Sequence, residues 1–195
     1  MGTVTNLLLL APPGAGKGTQ GERLAAWSGT RHIAAGDLLR AEAQAGGRLG
    51  REIAACQARG DLVPDQIVLD VLTPAVVEAA RHGGYILDGF PRTLPQAIAA
   101  AQLAVQLGVT LDAAIYLHAP DAVLTRRLLD RAHQSGRSDD KADVIEHRLR
   151  VYTETTGPLV PYYTERGILI TVDADQPPDA VTAGIQAQLP AIPQP

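Results

Sequence analysis

Ala11-Pro-Pro-Gly-Ala-Gly-Lys-Gly-Thr19 sets Gly14, Ala15, Gly16, Lys17 and Gly18 in a row directly after the apolar run Val4–Leu10. Glycines at that spacing let a backbone curl until its N–H groups face inward and make a concavity for an anion. A helix opening at the end of the loop turns its positive pole toward the same space. Lys17 then has the reach for the β- and γ-phosphates of a nucleotide, and the Thr19 hydroxyl stands close by. The plain alternative is an ordinary Gly-rich turn between strand and helix, but such a turn has no need of Gly-Lys-Gly-Thr. The lysine itself carries weight. Of 17 cationic side chains only Lys17 and Lys141 are lysine, so a chain that otherwise uses arginine places here the compact, flexible ammonium.

The other charges suit the same chemistry. Asp88 closes the run Tyr85–Asp88, where a carboxylate can hold Mg²⁺ through water, although a turn or helix-capping Asp would look similar. Arg92 follows in Gly89-Phe-Pro-Arg. Six arginines fall within Arg126–Arg150. Arg127 and Arg131 are four apart and share one helical face; Arg126 lies off it and reads as a solvated charge. Arg137 sits in a Ser/Gly segment and Arg148 on the next helix. Each arginine alone reads as a surface charge. Together with Lys17, Arg40 and Arg92 they can ring two phosphate chains, because each guanidinium offers a planar fork to phosphate oxygens. Phosphoryl transfer asks for positioning and charge neutralisation more than covalent chemistry, so such a set points to it.

These residues need a frame. Val4–Leu10, His32–Ala34, Tyr85–Asp88, Ala113–His118 and Ile168–Val172 read as strands. Helices are expected over Gly18–Ser28, over Leu38–Ala45 with Asp37 as cap, over Leu49–Ala58, and from Pro64-Asp65 to Ala80 with a kink at Pro74. Further helices are expected over Ile98–Leu107, Asp121–Arg131 and Asp140–Tyr152, the last continuing in broken form through Pro158 and Pro161, and over Asp179–Leu189. Strands alternating with helices specify an α/β fold: a three-layer sandwich with a central five-stranded parallel sheet. The ligand belongs beyond the carboxyl ends of its strands.

Composition narrows the field. In 195 residues, 46% are hydrophobic and 19% charged, enough for one packed domain and against disorder. A net charge of −4 argues against a general nucleic-acid binder. A single cysteine, Cys56, excludes a disulfide framework and a cysteine-rich zinc site, and the five histidines show no metal-ligand spacing, reading as surface or half-buried side chains. The apolar run near the start is too short to span a membrane and has no basic segment before it, so the cytoplasm is the expected compartment.

The phosphate loop departs from the commonest pattern: Ala11 stands where Gly is usual, and Thr19 falls one place later than the usual hydroxyl. With Gln20 it resembles the loop of the nucleoside monophosphate kinases, the adenylate kinases in particular. Asp88-Gly-Phe-Pro-Arg-Thr resembles that family's second signature, Ala35-Gly-Asp-Leu-Leu-Arg40 and Gly60-Asp-Leu-Val-Pro-Asp65 its monophosphate segments, and Arg137-Ser-Asp-Asp140 with Arg148 its closing segment. The resemblance runs in order from about Leu7 to Val172. It implies reversible transfer from MgATP to AMP giving two ADP, in adenine nucleotide homeostasis and biosynthesis, by direct in-line transfer without a phospho-enzyme.

The resemblance assigns Gly14–Thr19, Arg127, Arg131 and Gln176 to ATP, the last through its backbone. It assigns Ala35, Arg40, Asp61, Leu62, Val63, Gly89, Phe90, Pro91 (in cis), Arg92, Gln96, Arg137 and Arg148 to AMP. Lys17, Asp88, Arg92, Arg127, Arg137 and Arg148 form the catalytic set, and Asp139 and Asp140 resemble residues that orient the arginines. Magnesium comes with ATP, through water to Asp88 and Thr19; no zinc is expected, because only five residues separate Arg131 from Arg137, as in the short-lid form. The expected flaps are about 34–63 over the monophosphate and about 131–137 over ATP, on a core of 1–33, 64–130 and 138–195, with Gly60, Gly84 and Gly136 as hinges. A monomer is expected.

Two residues disagree about the acceptor base. Gln96 suits the donor–acceptor edge of adenine, whereas Ala35 is typical of the UMP/CMP kinases. Outside catalysis, a switch GTPase would need a guanine-reading Asn-Lys-x-Asp run, and Asn6 is the only asparagine. A P-loop sensor that binds without turnover remains the alternative from another class.

Overall fold

The computed structural model describes residues 6–59, 63–135 and 142–189. Strand β1 (Asn6–Leu10) leads into helix α1 (Lys17–Ser28), and β2 (Arg31–Ala34) follows. Three helices come next: α2 (Ala35–Ala45), α3 (Gly47–Arg59) and α4 (Asp65–Arg81). Then β3 (Tyr85–Asp88), α5 (Leu94–Leu107), β4 (Ala113–His118), α6 (Asp121–Ser135), α7 (Ala142–Thr155), α8 (Leu159–Glu165), β5 (Leu169–Asp173) and α9 (Pro178–Gln186) complete the chain.

The strands form one parallel five-stranded sheet in the order β2-β3-β1-β4-β5. Four successive leucines make its centre. Because side chains alternate across a strand, Leu7 and Leu9 enter one hydrophobic cluster and Leu8 and Leu10 the other. All four are 3% exposed or less, as a strand covered on both faces requires. The order places β1 at the switch point, with later strands added first on one side and then on the other, and a crevice opens there beyond the strand ends. Register sets what meets in it. Leu9 pairs with Asp88 and Ala34 also pairs with Asp88, so the ends of β1, β2 and β3 lie level.

Several element bounds differ from the sequence expectation. Asp37 does not cap α2: the helix already begins at Ala35 after the extended Ala34, and Asp37 lies in its first turn paired with Arg40. Helix α5 starts at Leu94 rather than Ile98, because Thr93 caps it, accepting from the Gln96 N–H at 3.4 Å. Helix α4 runs through Pro74 as one element. The expected break after the long helix falls at 156–158, between α7 and α8. At Gly84, expected as a hinge, the N–H donates to the Ala79 carbonyl and the carbonyl accepts from the Arg31 N–H. Gly60, Gly136, Arg137, Asp139 and Asp140 lie outside the described residues, and the rest of the expected short lid, 131–135, is the last part of α6. Among the described residues no helix is long and apolar enough to cross a membrane.

Candidate active site

The loop after β1 ends in Gly16, whose left-handed backbone (φ 89°) is the N-cap of α1. No side chain caps this helix and no acidic residue stands in its first turn, so its N–H groups and positive pole remain available to an anion. Gly14 is also left-handed (φ 88°) and abuts α6: a Cβ there would stand 2.9 Å from the Leu124 carbonyl oxygen. At Gly16 and Gly18 a Cβ would meet nothing within 4 Å, which is the open space of a cradle. Ala15 is buried and Thr19 exposed at its rim. Behind the loop, Gln20 is 2% exposed and donates to the Pro178 carbonyl while accepting from the Thr182 hydroxyl, which fixes α1 against α9.

Lys17 turns across the crevice, and its Nζ lies 2.6 Å from Asp88 Oδ1. Burial pushes the Asp88 carboxyl up, but the His32 ring, the Lys17 charge and the Lys17 hydrogen bond outweigh it and hold the group below its ordinary value. His32 reaches this carboxylate from β2. Its Nε2 stands 3.6 Å from Asp88 Oδ2, beyond hydrogen-bonding distance, and is buried without a hydrogen-bond partner among the described residues. The ring also occupies the space above Gly21, where a Cβ would lie 2.4 Å from Nε2. Sequence reasoning left this histidine among the surface or half-buried ones. Nothing local marks it, since its neighbour Asp88 is brought to it by the sheet.

On the far side of Asp88 the chain continues into a pocket of about 170 Å³ lined by Ala35, Gly36, Leu39, Arg40, Gln57, Val63, Val68, Gly89, Phe90, Arg92 and Gln96. Of the residues expected on the acceptor side, Ala35, Arg40, Val63, Gly89, Phe90, Arg92 and Gln96 are therefore gathered around one space. Asp61 and Leu62 fall outside the described residues. Pro91 follows Phe90 through a cis peptide but does not line this pocket; it faces a second, largely apolar cavity of about 200 Å³ between α4, α5 and α8, which neither Lys17 nor Arg92 lines. Gly36, Leu39, Gln57 and Val68 line the pocket without having been expected there. They are apolar or neutral positions on helices and carry no chemical signature.

Arg92 donates through Nε to the Gly89 carbonyl at 3.0 Å. Much of its side chain meets solvent. Even so, the protein packed around the guanidinium lowers it from its ordinary value, Asp88 opposes this, and Arg148 adds to the lowering, which puts the Arg148 charge in the same neighbourhood. Arg40 is held by Asp37. Gln96 is 4% exposed; its Oε1 accepts from the Arg92 N–H at 2.7 Å and its Nε2 donates to Asp65 Oδ1 at 2.7 Å.

The opposite rim belongs to the loop after β5. Arg127 donates to the Gln176 carbonyl at 3.4 Å, so two residues expected on the ATP side do meet, and through the backbone of Gln176. Asp173 shapes this loop, accepting from the Asp175 N–H at 2.8 Å and from Gln176 Nε2 at 3.2 Å; these bonds hold its carboxyl below its ordinary value. Arg131 lies on the same helix as Arg127. The whole is an anion cradle and a cationic pocket that share one border, Asp88-Gly89.

The family model described as "Adenylate kinase" matches residues 9–168. Among curated proteins, an adenylate kinase of Synechococcus sp. (strain CC9902) is 46% identical over 92% of this chain and 95% of its own. One of Maricaulis maris (strain MCS10) is 45% identical over 94% of this chain and 98% of its own. One of Parvibaculum lavamentivorans is 41% identical over 94% and 91%.

Proposed function

This chain belongs to the adenylate kinase family, and from that premise we propose how its own residues carry out the reversible transfer of a phosphoryl group from ATP to AMP. The chain is a phosphotransferase acting on nucleoside monophosphates. The reading rests above all on one observation: the carboxylate held by the phosphate-loop lysine is followed at once by residues of the pocket that Arg40, Arg92 and Gln96 line. A triphosphate tail in the loop would thus end against an acceptor phosphate near Arg92.

The N–H groups of Gly14–Thr19 and the start of α1 bind the triphosphate. Lys17 leaves Asp88 for the β- and γ-phosphates when a nucleotide enters, because phosphate carries the greater charge. Asp88 and the Thr19 hydroxyl fit Mg²⁺ held through water, since that ion takes one or two carboxylates together with substrate phosphates. Magnesium supplies neutralisation of charge on the phosphates. Arg127, with Arg131, lies on the ATP side, where the Gln176 backbone edges the adenine. Arg40, Arg92 and Arg148 bind the acceptor phosphate and stabilise charge on the group in flight, with Arg137 completing the set. Gln96 reads the acceptor base. Ala35 is 2% exposed at the pocket wall; it lends size to the pocket and no hydrogen bond to the base.

The protein acts as a cytoplasmic monomer, with flaps at about 34–63 and 131–137 excluding water during transfer. The test is ADP production from ATP with AMP, UMP and CMP in parallel. Turnover is expected to be greatest with AMP, and two adenosines joined through five phosphates should stabilise the fold strongly. Equal rates on UMP would remove the assignment of Gln96, equal rates on CMP, whose cytosine bears the same amino-beside-acceptor edge, would remove only the preference for a purine, and absence of turnover with every acceptor would leave a nucleotide sensor.

A further inference from the structure

The Gln96 amide is not free to choose which way round it faces. The Arg92 N–H can only donate, so the atom 2.7 Å from it must be the amide oxygen. The Asp65 carboxylate accepts, so the atom 2.7 Å from its Oδ1 must be the amide nitrogen. Turning the amide over would set donor against donor at Arg92 and acceptor against acceptor at Asp65, in a side chain only 4% exposed. Each end keeps one further valence: a second lone pair on Oε1 and a second hydrogen on Nε2. Gln96 lines the acceptor pocket, so one acceptor and one donor of fixed order are presented to the base.

We propose that Asp65 is a specificity-determining positioning residue, which through Gln96 makes the pocket select bases bearing an exocyclic amino group beside a ring-nitrogen acceptor over those bearing an exocyclic oxygen beside a ring N–H. Adenine has the first arrangement and the 6-oxopurines have its reverse. The Arg92 N–H belongs to the backbone and is present whatever the side chains, so the part of the lock that a substitution can remove is Asp65. With it gone, turning the amide over forfeits one bond instead of two. Asp65 stands on α4 and Gln96 on α5, 31 residues apart in sequence, so the pair exists only by the packing of two helices. The proposal rests on the reading of Gln96 as the base-contacting residue.

The test compares kcat/KM for AMP with that for IMP, which differs at the 6-position of the purine, in the full-length enzyme and in Asp65→Ala, Asp65→Asn, Gln96→Ala and the Asp65→Ala/Gln96→Ala double variant. Asp65→Ala is expected to lower the AMP:IMP ratio about tenfold, the worth of one charge-assisted hydrogen bond. The change should appear in KM for AMP, with kcat and KM for ATP unaltered. Asp65→Asn carries a donor as well as an acceptor and can meet the amide either way round, so its ratio should fall about as far as in Asp65→Ala. In the Gln96→Ala background Asp65→Ala should do nothing more. An equal effect in that background, or an equal rise in KM for ATP, would overturn the proposal and leave Asp65 as a support of α4. A ratio that changes in Gln96→Ala but not in Asp65→Ala overturns the proposal alone, whereas a ratio unmoved by Gln96→Ala overturns the base-reading role of Gln96 and the proposal with it.

Discussion

The Lys17 ammonium stands 2.6 Å from Asp88 Oδ1, a bond that joins the first residue of α1 to the last residue of β3 across the mouth of the crevice. The ion pair holds both groups, one 28% and the other 10% exposed at the side chain, where a triphosphate can exchange for the carboxylate.

Lys17→Ala should therefore lose turnover far more than stability. Contacts to charge that develops in the transition state are worth roughly 10²–10³ each in rate, and Lys17 also orients the tail, so kcat is expected to fall by several orders of magnitude. Lys17→Arg should not restore it, because a planar fork cannot replace a point charge on a flexible stem. The coupled assay gives kcat, and thermal unfolding should show a folded domain in both variants. Near-parental turnover in Lys17→Ala would remove the lysine from the mechanism.

Asp88 carries a pH dependence whose sign is fixed by its environment. Its folded value lies below the ordinary one, with His32 and Lys17 prevailing over burial. The native state thus binds fewer protons than the unfolded chain near that value, and stability must fall as pH falls. The contribution is complete above the unfolded value of about 4 and is lost on acidification through the folded one. Urea unfolding of the wild type and of Asp88→Asn should show a stability gap at pH 7 that narrows by pH 3. A gap independent of pH would contradict the pairing.

Gly14 and Gly16 share nearly the same positive φ but not the same surroundings. Gly14→Ala adds a Cβ 2.9 Å from the Leu124 carbonyl oxygen to the backbone strain, whereas Gly16→Ala adds it to open space. Left-handed backbone costs an alanine about 1–2 kcal/mol. Gly16→Ala should destabilise by about that much, and Gly14→Ala by more, since the clash is with backbone. In activity Gly16→Ala should still be severe, because its methyl enters the cradle. Equal losses of stability in the two variants would deny the contact with α6.

Arg92→Ala is expected to raise KM for AMP and to lower kcat by orders of magnitude while leaving KM for ATP nearly unchanged, since Arg92 lines the acceptor pocket and no residue of the phosphate loop does. Arg92→Lys should recover little. Initial rates with each substrate varied in turn separate the effects. A rise confined to KM for ATP would put Arg92 on the wrong nucleotide.

Much of the fold and of the site is legible in the residues alone. The four leucines of β1 announce a strand buried on both faces, and Gly-Lys-Gly-Thr announces a phosphate-binding turn into a helix. The gathering of Arg40, Arg92 and Gln96 round one space agrees with expectation because each sits in a segment with its own signature. The boundaries that differ have local causes: Thr93 and Pro95 mark a helix start ahead of Ile98, and Asp37 pairs with Arg40 one turn on and does not cap α2.

What the chain alone determined is the set of short-range facts: alternation of strands and helices, a glycine-rich turn with its lysine, and a surplus of arginines over lysines. These come from periodicity and from neighbours three or four residues apart. The pairing of Lys17 with Asp88, the approach of His32 to the same carboxylate, and the hold of Asp65 on Gln96 belong to the tertiary structure. They depend on a sheet order of β2-β3-β1-β4-β5 and on the seating of α4 against α5. Such contacts are made by burial of apolar faces between elements distant in sequence, and no local pattern records which polar groups that burial will bring together.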